Sequence, residues 1–329
     1  MQRKNIPSHM DFDRINNTEK YLELCQNEPT IPLFMQPHWL DAVCENGNWQ
    51  VALTMNNEQK ITGALVFFQK NKWGFNVITM PHLTQFSGIW VGPFESENKE
   101  KKRDYEAQIM RELLLQIPKS FNIALRFHYK LTDCSPFLEA EFKQNIRHTQ
   151  VIENLDSIEN LHKSLNNNVK RNIKKANLKF RVEIKDDLDT FLKIQKDTFI
   201  RQNLKDPIPL SIWQSVDKIL KEHKQRKIYF SMDENGVAQA ALYIIQDKKT
   251  AYQLAVGSTE EGRKFGATTQ LLWQAISDSV GQVETFDFLG SMMPNVADFN
   301  QQFGAVKKPY FEIKKAANWW IEKIYLLLR

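Results

Sequence analysis

Cysteine is scarce in this chain: Cys25, Cys44 and Cys134 are the whole complement of its 329 residues. Three is an odd number, and their spacing suits neither paired disulfides nor a structural zinc site, which argues against a disulfide scaffold and for a reducing compartment. No apolar run approaches the roughly 18 residues that a membrane-spanning helix needs. The opening stretch MQRKNIPSHMDFDR has no apolar core of the kind a secretory leader carries. A cytoplasmic location is therefore the expectation. Also missing are a zinc-ligand spacing, a Walker-type phosphate loop, a dinucleotide fingerprint and a G-x-S-x-G nucleophile elbow, so no metal is expected. What is present, 42% hydrophobic and 25% charged residues, is ordinary for a soluble globular chain long enough for two cores.

The charge is unevenly placed. Between Lys163 and Lys185 lie eight basic residues and one acid, while the rest of the chain carries 36 basic and 38 acidic residues. A general polyanion binder spreads its charge; this pattern points to one local anion site.

A stretch of three strand-like segments occurs twice at a constant offset of 177 residues. Met55–Met80 reads MNNEQKITGALVFFQKNKWGFNVITM and Met232–Gly257 reads MDENGVAQAALYIIQDKKTAYQLAVG, with five identities in 26 pairs. The polar turn, long apolar strand, charged turn and next strand keep step, which predicts two similar domains in tandem, residues 1–150 and 151–329. The first half reads as helices near Thr18–Gln26 and Gln36–Glu45, strands Trp49–Met55, Lys60–Gln69 and Trp73–Met80, a helix near Lys99–Gln116 and a strand Phe121–Tyr129. Gln144–Gln150 reads as the polar stretch that joins the halves, short enough that the domains should pack together. The second half begins with a short helix ending near Leu165 and a basic helix from Asn166–Asn168 to Asn177. Strand Lys179–Ile184, helices Leu188–Gln202 and Leu210–His223, and strands Lys227–Met232, Gly236–Gln246 and Thr250–Val256 follow. One long amphipathic helix, Arg263–Val280, then precedes strand Glu284–Leu289, a short helix Val296–Phe303 and strand Phe311–Lys315.

At Gly257–Thr268 a strand ends, a loop turns and a helix begins with small residues in its first turn. The first amides of a helix lack partners and attract anions, Arg263 adds a charge, and Gly262, Gly266 and Ala267 leave room for a phosphate. The alternative is that the two glycines only ease the turn and let the helix sit close to the sheet.

These strands, with R-x-x-G-x at a helix start and a final strand, resemble the donor-binding core of GNAT-type N-acyltransferases. The wider set resembles the tandem-domain Fem-type branch, which includes aminoacyl-tRNA-dependent transferases of peptidoglycan bridges. The resembling pieces are Phe34–Leu40 (FMQPHWL), Asn168–Ala176 (NVKRNIKKA), Phe286–Gly290 (FDFLG) and Phe299–Gly304 (FNQQFG). The resemblance implies an α+β fold of two GNAT-like domains, each a mixed, mainly antiparallel sheet flanked by helices. It implies acyl transfer to a small or peptide-like amine. Acyl-coenzyme A is one donor and aminoacyl-tRNA, with a cell-wall precursor as acceptor, the other; a non-catalytic ligand- or partner-binding relic is a third reading. Two departures bear on this. Thr268 stands where the GNAT loop usually has Gly or Ala. Asn300 stands where Fem-type transferases commonly place a lysine implicated in stabilising the reacting carbonyl.

On this reading Arg263, Gly262, Gly266, Ala267 and Thr268 hold donor phosphate, and Lys170, Arg171 and Lys174 a second phosphate group. In the basic helix Lys170/Lys174 and Arg171/Lys175 are like-charge i,i+4 pairs that a bound anion would relieve, although solvent salt does the same for an ordinary exposed face. Asp287 alternates with Phe286 and Phe288 and so points to the opposite face of its strand, where it could take a proton from an attacking amine or simply brace the following loop. Tyr252, Gln253, Asp287 and Ser291 line the reacting centre, with Tyr252 and Gln253 on a strand that the GNAT arrangement splays from its neighbour. The first domain has no R-x-x-G loop after Met80 and is expected to shape an acceptor groove between the domains. The Trp- and Leu-rich tail Asn318–Arg329 is expected to pack back on the domains.

Overall fold

The computed structural model describes residues 9–45, 47–290 and 294–317. They fall into two units: one takes the chain up to Arg147 and again from Tyr310, the other is His148–Pro309.

In the first unit, helices α1 (His9–Asn27) and α2 (Pro37–Val43) precede strands β1 (Gly47–Met55), β2 (Ile61–Lys72), β3 (Phe75–Thr79) and β4 (Ile89–Val91). The Asn98 side chain caps helix α3 (Lys99–Leu114) by accepting from the Glu100 and Lys101 amides. Strand β5 (Asn122–Arg126), the short α4 (Ser135–Glu139) and β6 (Lys143–Glu153) follow, and the chain passes to the second unit inside β6. That unit continues with α5 (Ile158–Ser164), α6 (Asn167–Asn177), β7 (Arg181–Ile184), α7 (Leu188–Arg201), α8 (Leu210–Glu222), β8 (Arg226–Met232), β9 (Ala238–Gln246) and β10 (Thr250–Ser258). Helices α9 (Glu260–Phe265) and α10 (Ala267–Ser279), β11 (Thr285–Asp287), α11 (Pro294–Gln301) and β12 (Val306–Ala316) complete the order.

Each unit holds one mixed sheet. The first runs β1-β2-β3-β5-β12, antiparallel except for the parallel pair β3/β5, with β4 against β2. The second runs β7-β8-β9-β10-β11-β6, antiparallel except for β10/β11. The two-domain reading had placed residues 310–316 with the second half. Instead Glu312–Ala316 pair with Arg126–Asn122 of β5, inside the first unit.

The internal repeat is visible as register. Trp49 pairs with Phe68 and Arg226 with Ile245, and both ladders shift at matching places, Thr54/Met55 and Ser231/Met232. The next hairpin does not keep step. Strands β2 and β3 close over Trp73-Gly74, with Lys72 opposite Phe75, whereas β9 and β10 close over Asp247–Thr250, with Gln246 opposite Ala251. The Asp247 carboxylate holds that wider turn by accepting from the amides of Lys249 and Thr250.

Three other expectations change. Gln144–Gln150 is not a connector but part of β6: Thr149, Gln150, Val151 and Ile152 are buried, and Gln150's carbonyl accepts from the Phe288 amide. The expected helix Arg263–Val280 is two helices, broken at Gly266, whose φ of 83° is left-handed and ends α9. The tail Asn318–Arg329 lies outside the described residues.

The second unit's sheet is covered on both faces. Phe286, Phe288, Ile152 and Leu242 pack against Val169 and Ile173 of α6 and Leu271, Leu272 and Ile276 of α10. On the other face Phe191 of α7, Trp213 of α8 and Tyr243 of β9 form a triangle with ring centroids 5.3–5.7 Å apart. Among the described residues no helix is long and apolar enough to cross a membrane.

Trp213 is 1% exposed and touches both other rings. Trp213→Ala is expected to cost about 3–5 kcal/mol, read as a lower urea midpoint with little change in slope.

Candidate functional site

The site grows from a place where strand pairing stops. β10 pairs in parallel with β11 only at Thr250–Tyr252, opposite Thr285–Asp287. Beyond that, β10 bulges between Gln253 and Ala255. Gln253, Leu254, Ala255 and Val256 are all partly exposed although they belong to an interior strand of the sheet. A bulge bends its strand and re-aims the neighbouring side chains, and beyond Tyr252 the edge of β10 that faces β11 has no strand partner among the described residues. The Gln253 Oε1 atom is buried without a hydrogen-bond partner among the described residues.

Asp287 sits where the strands part. It is fully buried, and its Oδ1 accepts from the Thr149 hydroxyl at 2.5 Å and from the Leu289 amide at 2.8 Å. Its Oδ2 has no partner among the described residues. Burial pushes the carboxyl up to about 7, against the opposing pull of those two hydrogen bonds. Thus the side chain both braces the following loop, through Leu289, and keeps one oxygen unspent. Ser291, expected beside it, lies outside the described residues.

Tyr252 pairs in register with Asp287 but is 1% exposed, and its hydroxyl donates to Asp247 in the β9–β10 turn at 3.1 Å. The polar end of the side chain is thus engaged with that turn. Asn300, in the Fem-like segment, is also buried; its Nδ2 donates to Gln150 Oε1 at 3.4 Å.

The corner after β10 is built differently from the sequence expectation. Thr259 caps α9 by accepting from the Gly262 amide at 3.0 Å. A side chain at Gly262 would lie 2.1 Å from the Gln239 carbonyl, and one at Gly266 would lie 3.0 Å from the Asn172 carbonyl of α6. Ala267 is buried in the core under the sheet. The space those three residues leave is therefore taken by protein, and the close-packing alternative accounts for them. What remains open to an anion is the first turn of α10, which no side chain caps, together with half-buried Thr268 and exposed Arg263.

Cations do converge on this corner, but they are not the ones singled out from sequence. Lys175 and Lys179 lie 4.9 Å, and Lys264 5.4 Å, from the centroid of the Phe265 ring. Lys175 also donates to the Lys264 carbonyl at 2.7 Å, at the end of α9. Lys170, by contrast, donates to the Lys163 carbonyl at the end of α5, and Arg171 to Asn168. Lys174 is exposed on the same helix. Asn172 and Lys175 are the α6 residues that face Gly266 and α9, which places Lys170 and Lys174 on a different side of the helix. The signal missed was angular: which flank of α6 meets the corner follows from its buried stripe Val169, Ile173 and Ala176. Among the described residues no group of three His, Cys, Asp or Glu is placed to hold a metal.

Comparison with known proteins agrees with this geometry. Residues 161–299 match the acetyltransferase (GNAT) domain family, so the second unit carries a GNAT-type domain. Among solved structures, FemX is similar over 94% of this chain and 97% of its own, with a TM-score of 0.68 at 12% identity. L-PGS from Bacillus licheniformis is similar over 94% and 95%, with a TM-score of 0.51 at 10% identity. A tandem GNAT protein from the clavulanic acid biosynthesis pathway is similar over 95% and 98%, with a TM-score of 0.50 at 10% identity. At these identities the likeness is one of fold. No curated protein sequence matches the chain.

Two outcomes test the site's construction. Gly262→Ala should destabilise by about 1–3 kcal/mol in urea unfolding, because the added carbon meets a backbone carbonyl; unchanged stability would return the glycine to a ligand. Asp287 binds its proton more tightly folded than unfolded, so its contribution to stability is complete below about pH 4 and lost as pH rises to about 7. Asp287→Asn removes that dependence. Its melting temperature should rise relative to the unsubstituted protein between pH 5 and pH 8, with both chains measured in the same buffers.

Proposed function

We propose that this chain, whose second unit is a GNAT-type acetyltransferase domain, catalyses N-acyl transfer by direct attack of an amine on an acyl group borne by coenzyme A. The observation that carries the reading is the parting of β10 and β11 beyond Tyr252 and Asp287. Among the described residues it leaves a bulged strand edge open, and the chain then runs to an uncapped helix start, with lysines gathered on Phe265 just before it.

Bound at this corner, coenzyme A would supply a thioester carbonyl. Arg263, Thr268 and the first-turn amides of α10, with Lys175, Lys179 and Lys264 around Phe265, would hold its phosphates. The open edge of β10 offers backbone N–H groups to the acyl oxygen, and Gln253 lies at the bulge. Direct transfer needs little covalent help from protein, since fixing amine and carbonyl together supplies much of the rate. The amine has to shed a proton. On this reading Asp287 would take it, which is supported by its one unspent oxygen and by a carboxyl poised near 7 that changes charge in the working range. The first unit, whose first helix after β3 is capped by Asn98, is left to shape access for the acceptor.

Melting temperatures with acetyl-coenzyme A, longer acyl thioesters and charged tRNA test the donor. Stabilisation by a thioester that vanishes in Arg263→Glu is expected. Stabilisation by charged tRNA alone would move the chain to the aminoacyl-transferase reading, and no response to any donor would make it a binding relic. In steady-state assays at pH 7.5, Asp287→Asn should lower kcat by roughly 100-fold or more.

A further inference from the structure

The first unit carries a second cluster of charge that the acyl-transfer reading does not use. On β12, Glu312 is buried, with its side chain 6% exposed, and three cations converge on it. Arg126 of β5 reaches its Oε1 through Nε at 3.1 Å, Arg147 of β6 reaches the same oxygen through Nη1 at 3.4 Å, and Lys314 reaches Oε2 at 2.7 Å. No other acidic group pairs with these three among the described residues. Burial works to raise the Glu312 carboxyl, but hydrogen bonds from Lys314 and Arg126 outweigh it and hold it at about 2, so the carboxylate stays charged. Three positive charges thus face one negative charge in a partly desolvated place, where an unbalanced cation is costly.

Two features show that the surplus is aimed. Both guanidinium groups are about a quarter exposed, and each spends only part of its fork on the protein. Tyr310, 1% exposed, accepts through its hydroxyl from Gln85 Nε2 at 2.7 Å and from Arg147 Nε at 3.3 Å. Its own O–H hydrogen has no acceptor among the described residues. A buried hydroxyl beside the Arg147 fork, with N–H groups of both arginines to spare, calls for an oxygen-rich acceptor.

We propose that Arg126, Arg147, Lys314 and Tyr310 form a binding site for a doubly charged phosphoryl group, carried by a small-molecule ligand of the first unit. The surplus of two charges selects a dianion over a carboxylate, and Glu312 holds the two arginines in place while restraining the affinity for singly charged ions. The site stands independently of the donor corner and of acyl transfer.

The probe is inorganic phosphate at pH 7.5, against sodium chloride at matched ionic strength and against sodium acetate, read by melting temperature and titration calorimetry. Phosphate should stabilise the protein more than either control, and Arg147→Gln should weaken its binding roughly 10- to 100-fold. Arg147→Gln leaves Glu312 its contacts with Arg126 and Lys314, so its melting temperature without phosphate shows that the fold is kept. Tyr310→Phe retains the ring packed at 4.9 Å on Phe86 and should weaken phosphate binding by a smaller factor. The proposal falls if phosphate gives no stabilisation beyond chloride, if acetate matches it, or if Arg147→Gln binds phosphate unchanged. It falls also if Arg263→Glu alone abolishes the effect, since that would locate phosphate at the α10 corner.

Discussion

A ladder that stops in mid-sheet is the constraint around which the second unit is arranged. Backbone N–H and C=O groups inside a sheet are ordinarily satisfied by the neighbouring strand. Here β10 and β11 part after one short parallel stretch, and β10 bulges at the point of parting. The rest of that unit absorbs the disturbance: β9 continues to pair β10 down to Ser258, α7 lies close enough to Gly257 for a side chain there to meet its backbone, and α6 and α10 seal the opposite face. A rigid surround holds open one unpaired edge. Buried polar atoms without partners, Asp287 Oδ2 and Gln253 Oε1, belong to residues at this same parting. Each costs about 1–3 kcal/mol where nothing meets it, which is a reason to look for function at the parting.

Much of this was legible in the sequence, where the physics is local. The order of strands and helices in the second half follows from period and caps, and the offset of 177 residues resurfaces as identical register, bulge included, in β1/β2 and β8/β9. Alternation in Phe286-Asp287-Phe288 put the carboxylate on the face away from the phenylalanines, and it is there, buried beside Thr149. What was not legible depends on partners distant in sequence. β6 looked like a connector because its polar residues have no local explanation; Arg147, Thr149 and Gln150 are hydrogen-bonded to Glu312, Asp287 and Asn300, each well over a hundred positions away. The third strand of the repeat slipped because two turns of different length close the hairpins.

Charge was the least reliable guide. The basic helix suggested one phosphate group held by Lys170, Arg171 and Lys174, yet Lys170 and Lys175 both donate to carbonyls at the ends of other helices, where a cation offsets the partial negative charge of the helix terminus. The glycines likewise mark where carbonyls of Gln239 and Asn172 press against the chain. The angular position on α6 is what brings Lys175, and not Lys170, to Phe265.

The partner of β5 arrives late. Asn122–Arg126 are hydrogen-bonded to residues 312–316, near the far end of the sequence. During synthesis the ribosome adds nearly all of the second unit before that neighbour exists, so the N-terminal sheet must wait with one flank unclosed while later residues emerge. The leading unit therefore cannot complete its sheet first: closure waits until residues 312–316 have emerged.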